Sequence, residues 1–276
     1  MGAFLALASA VCYGAADFAG GLLSRRAHYA AIALLGQAGG LVFTLVIAAA
    51  TSRPAPGVGG LGWGALSGVG TGAGMLFLYR GMSHGNMTVV IPVSAVTGVA
   101  LPVIAAVAFL GDRPSTLSWL GIITAVAALW LVTGTGTGTA AGPATADGLI
   151  AGTGIALQYF ALAQASPDAG LWPVAAGRLT AILVILPLTA SAHVPLRLPP
   201  RRALLAAATG ATAALALTLY LLAAQRELLA IAVVLSSFYP AIPIVLGITA
   251  LHERLTRPQT VGLISAAAAI GLLTIR

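Results

Sequence analysis

Long apolar runs broken by short polar corners make up almost the whole of this chain. A bilayer-crossing helix needs about 20 mostly apolar residues. By that measure the pattern predicts helices over 3–23, 30–50, 60–79, 87–110 and 116–133, then over 147–164, 171–190, 203–223, 229–250 and 258–275. Breakers and charges collect between them, at 24–28, 51–57, 80–86, 111–115, 166–168, 193–202, 225–227 and 252–258. Corners this short make consecutive helices antiparallel neighbours. The expected fold class is an all-α polytopic membrane protein with ten transmembrane helices.

The pattern occurs twice. Residues 79–133 lie over residues 220–274 without a gap: Pro102 falls on Pro243, Asp112 on Glu253, Arg113 on Arg254 and Gly121 on Gly262. The same spacing carries Thr71 onto Thr212, whereas the first helices need a shift, which brings Tyr13 to Tyr159. The chain thus divides into a five-helix repeat over 1–133, a linker over 134–146 and a second five-helix repeat over 147–276. The linker is low in large apolar side chains and rich in Gly and Thr, the composition of a flexible connector. Its Gly-x-Gly steps follow a membrane helix and no strand, so they are no dinucleotide fingerprint. An odd number of helices per repeat makes the second copy enter the membrane from the opposite side. Inverted repeats of this kind are a common plan of secondary transporters, with the substrate site near the midplane between the halves and alternating access by rocking.

Composition narrows the function. The chain is 59% hydrophobic and only 7% charged, with a mean hydropathy of +1.01. Soluble domains carry about a quarter charged residues, so lipid must cover most of this surface. The net charge of +7 comes from arginines scattered singly through the corners without aromatic interleaving. That distribution suits interfacial anchoring and not nucleic acid. The N-terminal run lacks a basic leader and a normal cleavage site, and reads as a retained first helix. A single cysteine, Cys12, excludes an intrachain disulfide framework. His28, His84, His193 and His252 sit at separate corners, with no metal-ligand spacing among them. No lysine is present, so no phosphate-binding Walker loop exists and ATP-driven transport is not expected. No nucleophile constellation, cofactor motif or metal set argues for an enzyme.

Two stretches carry a resemblance: "ALPVIAAVAFLGDRPSTLSWLGIITAVAALWLVT" and "AIPIVLGITALHERLTRPQTVGLISAAAAIGLLT". Each joins a Pro-containing helix, an acid-Arg corner and a Gly-containing last helix. This arrangement resembles the EamA family of the drug/metabolite transporter superfamily, with Asp112 standing where the first copy's pattern usually has Glu. The resemblance implies a multi-pass carrier of the cell inner membrane, effluxing a small metabolite, amino acid or drug-like solute. It also implies cytoplasmic termini. The arginines argue the other way: Arg25, Arg26, Arg80, Arg197, Arg201, Arg202, Arg254 and Arg257 fall opposite the termini, and the positive-inside rule would put the termini outside.

Polar groups inside the apolar runs are the candidates for function. Asp17, one turn after Tyr13, offers a carboxylate for a cationic group or a proton, or else pairs with Arg25 or Arg26 near the membrane surface. Arg178 stands deep in an apolar helix opposite Gln37 at the repeat spacing, placed to grip a carboxylate or phosphate or to snorkel outward. Gln158, Tyr159 and Tyr239 complete the expected substrate-binding set with Tyr13, Asp17, Gln37 and Arg178. Tyr79 and Tyr220 read as interfacial belt residues. Pro92, Pro102, Pro240 and Pro243 free backbone carbonyls in two equivalent helices, either as gating elements around a cavity or as simple kinks. The acid-Arg corners read as local ion pairs or caps of the next helix. The expected partners are a small-molecule solute, the lipid bilayer and protons as coupling ion. The competing reading is a non-transporting membrane scaffold or partner subunit.

Overall fold

The computed structural model describes residues 1–50, 57–84, 87–133, 143–191, 194–242 and 257–274. Among them all regular structure is helical. In chain order these are α1 (Gly2–Ser24), α2 (Tyr29–Ala50), α3 (Val58–Ser83), α4 (Met87–Phe109), α5 (Thr116–Thr133), α6 (Pro143–Ala163), α7 (Trp172–Ser191), α8 (Pro200–Ala224), α9 (Leu229–Ser236) and α10 (Arg257–Thr274). Pro243, the Glu253-Arg254 corner and residues 134–142 of the linker lie outside the described residues.

Six stretches are long and apolar enough to cross a membrane: α1, α2, α3, residues 145–163 of α6, α7 and α8. The apolar parts of α4, α5 and α10 are shorter, at Val93–Phe109, Thr116–Ala128 and Thr260–Ala269. Large apolar side chains such as Phe4, Val46, Ile104, Ile123, Leu183 and Leu204 point outward, largely exposed. In water that exposure would be costly; against lipid it is the expected outer surface.

Two boundaries differ from the sequence expectation. The linker ends early, because Pro143 already opens α6; proline suits a first helical position, where its missing N–H has no intrahelical role. The ninth helix stops at Ser236 instead of running on through 250. Residues 237–240 form a turn before the chain is helical again at 241–242. Pro240 has no N–H for the Ser236 carbonyl and crowds it. The bonds across the break are tightened, Ala241 N–H to the Phe238 carbonyl at 3.0 Å and Ile242 N–H to that of Tyr239 at 3.1 Å. Its counterpart α4 runs unbroken through both Pro92 and Pro102.

The helices choose partners in a regular way. Helix α3 packs on α6 and α7, while α8 packs on α1 and α2. Helix α2 also meets α7, α4 meets α9, and α5 meets α10. Without a hydrophobic drive between helices in lipid, close approach of small residues does much of this work. Gly210 of α8 lies directly on the Gly36 backbone of α2, and Gly68 of α3 lies on that of Gly177 of α7, with no room at Gly210 or Gly68 for a side chain.

Candidate functional site

Two polar centres lie in the interior. The first forms around Gln158 of α6, which is 1% exposed. Its Oε1 accepts from Thr71 Oγ1 of α3 at 2.6 Å and from the Tyr13 hydroxyl of α1 at 3.1 Å. Its Nε2 donates to the same hydroxyl at 2.7 Å, and its backbone carbonyl accepts from Ser67 Oγ at 3.0 Å. Three helices are thereby tied at one amide. Around it stand aromatic rings: Tyr13 lies 6.2 Å from Tyr159 and 5.7 Å from Tyr239 between ring centres. Tyr159 stacks at 4.5 Å on Tyr220, whose hydroxyl donates to the Tyr159 carbonyl at 2.8 Å.

The second centre is Arg178 of α7, 1% exposed. Its Nη1 donates to Gln37 Oε1 of α2 at 2.8 Å. Its Nε and Nη2 have no hydrogen-bond partner in the protein. Gly40 of α2 makes the room: a Cβ there would stand 3.2 Å from Arg178 Cδ and 3.3 Å from Nε. A void of about 10 Å³ adjoins Arg178, Gln37, Tyr79, Thr209 and Gly210, close to the least that holds one water. Arg178 therefore points into the bundle and does not snorkel.

Asp17 is also interior, 6% exposed, and its Oδ1 has no hydrogen-bond partner. Among the described residues an ion pair joins Arg80 to Asp147. Tyr13 is within electrostatic reach of both Arg178 and Asp17, as is Tyr79. The structure thus brings Tyr13, Gln158, Tyr159 and Tyr239 into one aromatic and amide cluster and sets Arg178 with Gln37 beside it.

Other expectations change. Tyr79 and Tyr220 are buried, at 3% and 0% exposure, and are not belt residues. The Tyr79 hydroxyl packs on Gly20, a fit that only the three-dimensional neighbour reveals. Asp112 caps neither its own corner nor the next helix; its Oδ2 accepts from the Ala230 N–H of α9 at 3.1 Å. Gly111, with φ of 72°, ends α4 and turns Asp112 toward that distant helix start. Leu228 gives α9 no side-chain cap of its own, so the borrowed carboxylate fills the need. Pro102 is buried in α4, while Pro240 sits in the break of α9, whose Ser236 Oγ donates to the Ala6 carbonyl of α1 at 3.3 Å. Gly14 lets the Tyr239 carbonyl come directly against α1.

Sequence reasoning passed over Ser67 and Gly40, and treated Thr71 only as a repeat match. A hydroxyl at i and i+4 in an apolar helix is the signal that Ser67 and Thr71 gave; Gly40 gave none.

A buried tyrosine cluster, a buried arginine with spare donors and a shell of lipid-facing helices suit solute passage, and the comparison with known families agrees. Residues 1–134 match the model of the EamA-like transporter family. The first half of this chain carries the pattern of that family. With six helices among the described residues long and apolar enough to cross a membrane, the chain is a multi-pass membrane protein whose first half matches a transporter family. No curated protein matches it. A solved crystal structure, described only as that of a protein, aligns over 99% of this chain and 96% of the other with TM-score 0.75 and 15% identity. At that identity the likeness speaks for the fold alone.

Proposed function

We propose that the chain is a secondary carrier that exports a small organic solute across the inner membrane by alternating access, built as two inverted five-helix repeats. The observation that carries the reading is the contact between Gln37 and Arg178. They occupy equivalent positions of the two halves, 141 residues apart, and hydrogen-bond to each other. Equivalent residues touch only where a two-fold axis passes between them, so this contact marks the axis of the proposed repeat. The reciprocal packing of α3 on α6 and α7 and of α8 on α1 and α2 supports the same axis. Inverted-repeat carriers bind substrate on such an axis, at interrupted helices, and α9 is interrupted close to Tyr239. In this reading Arg178 and Gln37 contact the solute, Asp17 takes a proton or a cationic group, and Tyr13, Tyr159 and Tyr239 form the wall. Gln158 holds that wall in place, and Pro240, with Pro92, Pro102 and Pro243, lets the paired helices α4 and α9 flex.

Metabolite profiling of the medium around cells that over-produce the chain tests the proposal. One or more solutes should accumulate outside, and cease to do so with Arg178→Ala at equal membrane abundance. An unchanged profile with that variant would remove Arg178 from the site. Reconstituted protein that moves nothing, yet co-purifies with a stoichiometric partner, would favour the scaffold reading.

A further inference from the structure

We infer that the solute is a monocarboxylate, held by the Nε–Nη2 edge of Arg178; this deepens the carrier reading and rests on it. A guanidinium is always charged in a protein, and burying a charge is expensive unless it is paired. Arg178 is 1% exposed, and its one hydrogen bond goes to a neutral amide. The Nε and Nη2 donors on the other edge are buried and without partners. Those two N–H groups lie parallel in one plane, the geometry that receives both oxygens of a carboxylate.

Charge decides against a dianion such as phosphate. The buried charged side chains among the described residues are Asp17, Asp147 and Arg178. Asp147 is already matched by Arg80, and with Asp17 carrying the proton assigned to it in the carrier reading, Arg178 supplies a single positive charge and neutralises a single negative one. Around the guanidinium the wall is made of Ala33, Gly36, Met75, Ala206 and Gly210, small and apolar groups that offer a second charged oxygen nothing. Two hydroxyls stand there: Thr209 donates to the Leu205 carbonyl of its own helix at 2.8 Å, and the Tyr79 hydroxyl is turned onto Gly20. In this conformation the void is about 10 Å³, room for one atom. A carboxylate fits only after α8 moves off α2, at the contact between Gly36 and Gly210. Binding is thereby tied to the relative movement of the halves that alternating access requires.

The test uses purified full-length chain in lipid nanodiscs. Its thermal midpoint is measured with acetate, lactate and benzoate, with the three matching amides, and with chloride and inorganic phosphate at equal ionic strength. A carboxylate should raise the midpoint where its amide, chloride and phosphate do not. Arg178→Lys keeps the charge without the fork and should weaken that binding about tenfold. Gln37→Glu places a built-in carboxylate on the guanidinium, keeps the fold and should abolish the shift. An equal shift from the amide, chloride or phosphate, the absence of any carboxylate shift, or a shift that survives Gln37→Glu would overturn the assignment. Flux of the same compounds in proteoliposomes separates the two claims. Arg178-dependent binding without flux sinks the carrier and keeps the site; flux of an uncharged solute without carboxylate binding does the reverse.

Discussion

The Gln158 and Arg178 centres are equally buried, and they differ in how their polar atoms are satisfied. At Gln158 both ends of the amide and the backbone carbonyl are bonded, to Tyr13, Thr71 and Ser67. At Arg178 one nitrogen is bonded and two are not. A closed network has its value in the fold, because each member's desolvation is already offset by another member. An open one costs stability in the resting protein and gains from a guest. Burial alone, the usual sign of structural importance, does not separate them; the unfilled donors of the central side chain do, although the neighbouring Tyr159 hydroxyl is also buried without a partner.

The largest expected effect follows from removing the open centre. Arg178→Ala should lower export at least about a hundredfold, as loss of one partner of a buried charged hydrogen-bonded pair costs about 2–5 kcal/mol of binding. Its fold should survive. The truncation leaves a neutral amide behind, and deleting a poorly paired buried charge is often neutral or stabilising. Export in proteoliposomes, set against thermal midpoint and monodispersity, checks both halves of the statement. A variant that unfolds would mean that Arg178 belongs with the structural network.

Removing the closed centre should do the opposite. Gln158→Leu strands the Tyr13 hydroxyl and one Thr71 bond, at a cost of about 1–3 kcal/mol. That lowers the thermal midpoint by several degrees, at about 2–4 °C per kcal/mol for a chain of this size class. Export per folded molecule should fall far less than with Arg178→Ala, because Gln158 acts on solute only through the Tyr13 wall and has no donor or acceptor left over for it. Loss of export at unchanged stability would return Gln158 to the binding residues.

Much of this contrast was legible in the residue string, and the rest was hidden for a physical reason. Apolar runs and breakers located the helices, since in lipid every backbone polar group must be bonded within its own segment. The equivalence of Gln37 and Arg178 was visible as spacing alone. What spacing does not carry is distance between helices. Thr71 and Gln158 are 87 residues apart, Asp112 and Ala230 are 118 apart, and no local pattern links either pair. Tyr79 and Tyr220 stand near helix ends by position and are buried by packing. The early stop of α9 follows from Pro240, yet α4 tolerates Pro92 and Pro102. A proline thus marks where a helix is permitted to break, and its surroundings decide whether it does.

A smaller test also separates local from inter-helical bonding. Asp112→Ala removes the cap that α9 borrows from the α4–α5 corner and should cost about 1 kcal/mol, read as a lower thermal midpoint. Asp112→Asn, which keeps an acceptor oxygen, should recover most of it. If Asn behaves like Ala, charge and not the hydrogen bond holds the start of α9.

The finest comparison sets Thr71 against Thr212, which the proposed repeat makes equivalent. Thr71 Oγ1 donates to Gln158 across a helix boundary, whereas Thr212 Oγ1 is exposed and returns to the Ala208 carbonyl of its own helix at 3.0 Å. A hydroxyl bonded only within its helix contributes little, since the helix keeps its backbone bonds without it. Inter-helical bonds in membrane bundles average about 0.6 kcal/mol. Thr71→Val should therefore lower the midpoint by a degree or two, and Thr212→Val should leave it unmoved. In a Gln158→Leu background the Thr71→Val effect should vanish, because the partner is already gone; a cycle that stays additive would show that Thr71 stabilises through packing and not through Gln158.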